Sequence, residues 1–347
     1  MKLGLVMGLG EGGRVNINMD LIHEAEELGF DSVWTSEAWG SDAISTASWI
    51  LAQTKKIKVG TGIIQMSART PAMAAMTAMS LQHLSSDRFI LGIGPSGPQV
   101  IEGWHGTPYG RPLTRTREYI EIIRKIEARE GPLTHDGFHY QIPMTGEGTT
   151  NLGKPLKGIL HSPARLKIIT GTIAPAGVRV SAEIADGMIP VFMNPDRFDV
   201  FEDALKDGFA KAGGGKSLDG FDISPFCFVN LDDDEEAARM PTRSNLALYV
   251  GGMGARDKNF YNDYAKRLGH EDAAVEIQDH FLAGRRAEAM AAVPDSFVDE
   301  VSLTGPAGKI TERLQDWKAA SKQNKIKSLL ARASNSAELQ VLAKAVL

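Results

Sequence analysis

A chain of 347 residues with 43% hydrophobic and 23% charged side chains can bury a large core, which excludes the disordered and fibrous classes. Its formal net charge of −5 gives no electrostatic ground for nucleic acid or an anionic membrane as partner and leaves a small molecule as the expected ligand. The single cysteine, Cys227, excludes an internal disulfide, and its place in the apolar run Phe226-Cys227-Phe228-Val229 predicts a buried, inert thiol.

Met1–Met7 meets glycines too soon for a secretory signal, and no run approaches about 20 apolar residues, so the expected compartment is the cytoplasm. Leu3–Met7 reads as a first strand and Asn18–Leu28 as a helix capped by Asn18 and closed by Gly29. Asp31–Thr35 is the second strand and Ala43–Gln53 a helix. Ile57–Gly62 follows as a strand, Pro71–Leu84 as a helix with proline in its first turn, and Phe89–Gly94 as a fourth strand. After a helix over Leu113–Ala128, the stretch Gly131–Lys157 has no period and reads as a loop excursion. Leu166–Thr170, Gly187–Phe192 and Phe221–Val229 are strands five to seven, with helices near Ala176–Ala185 and Pro195–Ala212. Residues 232–292 form a helical insertion, and Lys325–Ala331 is strand eight, between helices Ala307–Ser321 and Ser336–Val346. Apolar runs alternating with helical periods, eight times over, predict an α/β chain in which residues 1–347 make one (β/α)8 TIM barrel with insertions.

Barrels of this kind build their sites from the loops after the strands. Two G-x-G-x-x-G patterns, Gly8–Gly13 and Gly92–Gly97, lack the helix that a dinucleotide turn opens into, and a flexible loop facing a ligand is the better use of them. The acidic run Asp232–Glu236 reads as the charged opening of a helix. No group of histidines or carboxylates has metal-ligand spacing, so no metal site is expected.

The third strand is more informative. Its two glycines, within Val59–Pro71, mark either a bulge that a planar ring approaches at Thr61, Gly62 and Ile63, or room for a neighbouring side chain. Glu37, between Trp34 and Trp39, is a candidate acid, or else the partner of a lysine or arginine at the rim. After strand four, Gly94, Ser96, Gln99 and Glu102 form a wall suited to hydrogen-bonding a heterocycle, with Glu102 a second candidate acid. Thr172, Ile173, Ala174 and Gly177 lead into a helix whose free N–H groups suit a phosphate, with Arg115 as countercharge.

The segments Val59–Pro71, Asp87–Gly106, Arg115–Tyr119 and Ala182–Gly187 resemble the luciferase-like monooxygenase superfamily, in its branch of coenzyme F420-dependent oxidoreductases related to methylenetetrahydromethanopterin reductase. The likeness runs from Met1 to about Arg197 and returns near Ser302–Leu330, and the stretch ending Glu102-Gly103-Trp104-His105-Gly106 is its most specific part. The resemblance implies a bacterial luciferase-like barrel, a homodimer, and a deazaflavin ring resting on a bulge of strand three with a cis peptide at Gly62–Ile63. It implies the phosphate site at Thr172–Val178 and a polar role for Glu37. The chain departs from some relatives at Pro98, where they carry an acid, and offers Gln99 and Glu102 nearby instead. The expected activity is hydride transfer between coenzyme F420 and a small organic substrate. The alternatives are an FMN-dependent monooxygenase on the same fold and a non-catalytic flavin-binding barrel.

Overall fold

The structure, a computed structural model, describes residues 1–8 and 13–347. Leu9, Gly10, Glu11 and Gly12 lie outside the described residues, and with them most of the first glycine pattern. Eight strands carry the barrel: β1 Lys2–Val6, β2 Ser32–Thr35, β3 Lys58–Thr61, β4 Phe89–Gly94, β5 Ile168–Gly171, β6 Gly187–Ile189, β7 Phe226–Leu231 and β8 Ser328–Arg332. β1 pairs with both β2 and β8, and parallel pairing runs on from β2 through β3, β4 and β5 to β6. The ring closes through Asp222–Ile223, which pairs with β6, and through a bridge between Val191 and Phe226. β7 then pairs with β8.

Local sequence explains the helices between them. The Asn18 side chain accepts the Leu21 N–H at 3.1 Å and Gly29 closes that helix at φ 92°, a left-handed conformation that glycine adopts without Cβ cost. Arg88 gives its guanidinium to the Leu51, Thr54 and Ile57 carbonyls at 2.8–3.1 Å. The Leu51 and Thr54 carbonyls, at the end of helix Ala43–Gln53, would otherwise lack donors.

Two apolar clusters hold the layers. The larger lies between sheet and helices, and runs from Leu3 to Ala343. The smaller fills the barrel interior with Val6, Trp34, Ile90, Ile169, Ile189 and Leu330. A Cβ on Gly60 would stand 2.5 Å from the Trp34 ring, and one on Gly4 3.1 Å from Trp34 Nε1. Strands β1 and β3 thus give up side chains at this level so that one indole from β2 fits.

Three expectations are corrected. The seventh strand is broken: Asp222–Ile223 serves β6 and Phe226–Leu231 serves β8, with Pro225, which has no N–H for a ladder, between them. The insertion contains helices Glu235–Gly252, Phe260–Leu268, Glu271–Leu282 and Arg286–Ala291, and then a further strand, Ser302–Gly305, lies parallel to β7. Four residues carry too little alternation to reveal it. A six-residue helix, Pro98–Gly103, does follow the second glycine pattern directly, with Gly97 before it. Within the excursion, residues 135–136 and 141–142 form a short antiparallel hairpin. Among the described residues no helix is long and apolar enough to cross a membrane.

Candidate active site at the strand ends

Gly60 opposes Ile90 and Ile64 opposes Ile93, so three residues of the third strand face two of β4. That one-residue surplus is a β-bulge. Thr61 makes it possible: its buried hydroxyl donates to the Gly92 carbonyl at 2.8 Å and accepts the Gly92 N–H at 2.9 Å, replacing the lost ladder bonds. A Cβ on Gly92 would collide with the Thr61 carbonyl oxygen. Gly62 and Ile63, between the two ladders, are only half-buried, and their peptide bond is cis, as the resemblance implied. A Cβ on Gly62 would meet only ordinary contacts, the nearest 3.5 Å away on Trp34.

Ile63 explains two further glycines. A Cβ on Gly94 would lie 2.8 Å from Ile63 Cδ1, and one on Gly171 3.1 Å from Ile63 Cγ2. Gly94, expected to face a cofactor, gives room to this side chain, just as Gly60 gives room to Trp34.

Below the bulge a polar network ties three strand ends together. Glu37 accepts the Gln65 N–H at 3.0 Å, the Ala43 N–H at 3.3 Å and Arg69 Nη1 at 2.8 Å. Its side chain is 7% exposed, which makes the pairing with arginine, foreseen as the alternative to an acid role, the observed arrangement. Burial pulls the Arg69 guanidinium down, but Glu37 and Asp42 outweigh it and leave it above its ordinary value. Buried Gln65 donates from Nε2 to Ser96 Oγ at 3.2 Å, and its Oε1 meets His105 Nε2. An amide oxygen only accepts, so that histidine nitrogen is the donor. Tyr109 Oη donates to the Ser96 carbonyl at 3.0 Å, and burial raises this phenol above its ordinary value, against Arg115.

The other predicted residues are placed less centrally. Gln99 and Glu102 are exposed on the short helix, where Glu102 accepts the Tyr109 N–H at 3.1 Å. Arg115 joins Ser67, the Pro108 carbonyl at 2.8 Å and His139 Nδ1 at 3.2 Å. Cys227 is fully buried and burial pushes its thiol up to about 12, which leaves no thiolate to react. Gln65 and Tyr109 were not singled out from sequence. Gln65 gave a signal, an amide at the apolar end of the third strand, whereas Tyr109 gave none.

After β5, helix Pro175–Ile184 begins without a side-chain cap. Pro175 has no N–H, and among the described residues nothing accepts from the Ala176 and Gly177 N–H groups. A Cβ on Gly177 would collide with Thr172 Oγ1, so the loop closes tightly on the helix start. The Ile173 carbonyl accepts from Arg267 Nη2 at 2.9 Å, which ties this loop to the helical insertion. Thr172, Ile173, Ala174 and Gly177 thus surround a helix N-terminus with donors to spare, the arrangement that suits an anion.

Known proteins share this plan. A coenzyme F420-dependent oxidoreductase of Mycobacterium tuberculosis, so named, is 43% identical over 321 residues, 92% of either chain. The 5,10-methylenetetrahydromethanopterin reductase of Archaeoglobus fulgidus is 27% identical over 85% of this chain and 84% of its own. The solved coenzyme F420-dependent tetrahydromethanopterin reductase of Methanopyrus kandleri superposes with a TM-score of 0.77 at 21% identity, covering 99% of this chain and 98% of that one. The model of the luciferase-like monooxygenase family matches residues 5–323, and with a barrel whose third strand bulges at Gly62, this chain belongs to that family.

Proposed function

We propose that the chain is a coenzyme F420-dependent oxidoreductase that passes a hydride between the deazaflavin ring and a small organic substrate. The observation that carries this reading is the bulge of β3, which leaves Gly62 and Ile63 half-buried at the strand ends with no side chain on Gly62. The cofactor named for the 43% identical relative agrees with it. The residues present fit such a group: a flat backbone bed on one side, and spare N–H groups at Ala176 and Gly177 for a phosphate on the other. When bound, a deazaflavin supplies two-electron hydride chemistry at C5.

The chain's own part is binding and positioning. Trp34 supports Gly62 from inside the barrel, and Glu37 with Arg69 fixes the backbone at Gln65, just beyond the bulge. Glu37 acts in this reading by holding the bed, since its oxygens are already engaged as acceptors. Glu102 is the remaining carboxylate candidate for a proton, at the exposed rim. We read the protein as a cytoplasmic homodimer in which Met73, Met76 and Leu84, at least 53% exposed along helix Pro71–Ser85, are covered by the second copy.

Titration of the purified protein with coenzyme F420 and with FMN tests the assignment. Saturable F420 binding is expected. Micromolar or tighter affinity for FMN with none for F420 would replace the reading by the monooxygenase, and binding of neither by a barrel without a flavin.

A further inference from the structure

We propose that the N-terminal mouth of the barrel, opposite the candidate active site, is a second binding site that takes a small aryl phosphate or a similar dianion with an apolar body. A cavity of about 490 Å³ opens there, within the ~300–1,000 Å³ of ligand pockets in general. Its inner wall is apolar: Trp34, Ile90 and Ile169 line it from the barrel interior.

The rim carries charge in excess. Lys2, Lys58, Lys167, Lys327 and Arg165 line the cavity against the carboxylates of Asp31, Asp87 and Asp222, and Arg165 is paired with Asp186 at 2.6 Å, which leaves one side-chain positive charge over on a chain whose net charge is −5. Lys2 and Lys58 share one oxygen of Asp31, at 3.1 and 3.0 Å. Lys327 reaches no carboxylate among the described residues and rests on the side-chain oxygen of Asn324. A rim meant only to seal the barrel by ion pairs would balance its charges, and this one attracts anions.

Unused donors lie deeper. Ser224 and Ser328 are 3% and 8% exposed and line the cavity. Neither hydroxyl makes a hydrogen bond to another described residue, and both oxygens keep contact with solvent, so each is free to donate to a ligand in the cavity. Phosphate oxygens would satisfy both while the lysines neutralise their charge. Another serine of the wall, Ser32, accepts the Trp34 Nε1–H at 2.9 Å. The same indole lies beneath Gly62, so one side chain touches both ends of the barrel.

Isothermal titration of the full chain with phenyl phosphate tests the site, with indole fluorescence as a second readout. Saturable binding in the millimolar range or tighter is expected, with a fluorescence change that Trp34→Phe removes. Lys327→Gln should weaken binding about tenfold, and Ser224→Ala should weaken it as well, while Arg115→Gln at the other end leaves it unchanged. Absence of saturable heat, equal affinity in Lys327→Gln, or loss of binding in Arg115→Gln would each overturn the proposal. None of these outcomes depends on which cofactor binds at the strand C-termini.

Discussion

Thr61 stands where β3 parts from β4, and its hydroxyl serves both the N–H and the carbonyl of Gly92. Thr61→Val keeps shape and volume but leaves both groups buried without partners, at ~1–3 kcal/mol for each. Urea denaturation should show a loss of ~2–6 kcal/mol for the two together, and cofactor affinity should fall with it, because the bulge loses its fastening. Glu37→Gln probes the neighbouring residue differently. If Glu37 holds the bed, the variant binds cofactor more weakly and keeps the wild-type pH profile of kcat. A profile that loses its alkaline limb at unchanged affinity would restore Glu37 as the proton donor.

Among the elements, helix Pro112–Ala128 fastens the excursion through one carboxylate. Glu118 accepts the N–H groups of Phe138, His139 and Tyr140 at 2.8, 2.9 and 3.1 Å. Burial raises its carboxyl, but the three backbone donors and His135 outweigh that and hold it below its ordinary value. A folded value below the unfolded one means that the stabilisation is complete above the unfolded value of ~4.3, and is lost as pH falls through the lower folded value. Protection factors at Phe138–Tyr140, taken relative to the intrinsic exchange rate at each pH, should therefore fall in acid, and Glu118→Gln should show that lower protection already at neutral pH. This fastening was not legible in sequence, since Glu118 and the hairpin are joined only across the fold. The helices were legible: Ala43–Gln53 has the same bounds in both, because Asp42 and the apolar period act within one turn. The strand Ser302–Gly305 escaped because its four buried residues are explained only by β7 beside them.

For the whole molecule, the helical insertion is tied to the candidate phosphate loop by a single guanidinium. Arg267→Ala removes the donor to the Ile173 carbonyl. The expected result is a several-fold rise in cofactor Kd with the thermal midpoint little changed, measured by fluorescence titration and calorimetry. The homodimer reading has its own check: Met76→Lys with Leu84→Lys should halve the sedimenting mass if helix Pro71–Ser85 meets a second copy.

The sequence by itself determined the barrel, its eight-fold count, the family, and the place on the third strand where the chain bulges. The barrel and its count follow from local period, caps and glycine positions, which act between near neighbours, and the family from the resemblance carried by segments such as Asp87–Gly106. Only the tertiary structure decided what the glycines are for: Gly60 admits Trp34, Gly94 admits Ile63, and Gly62 alone of these meets no side chain closer than ordinary contact. It decided too that Glu37 is held by Arg69, and that lysines from four strand beginnings gather round one cavity. These are contacts between residues about thirty or more apart, and one-dimensional spacing carries no record of which side chains the closed barrel brings together.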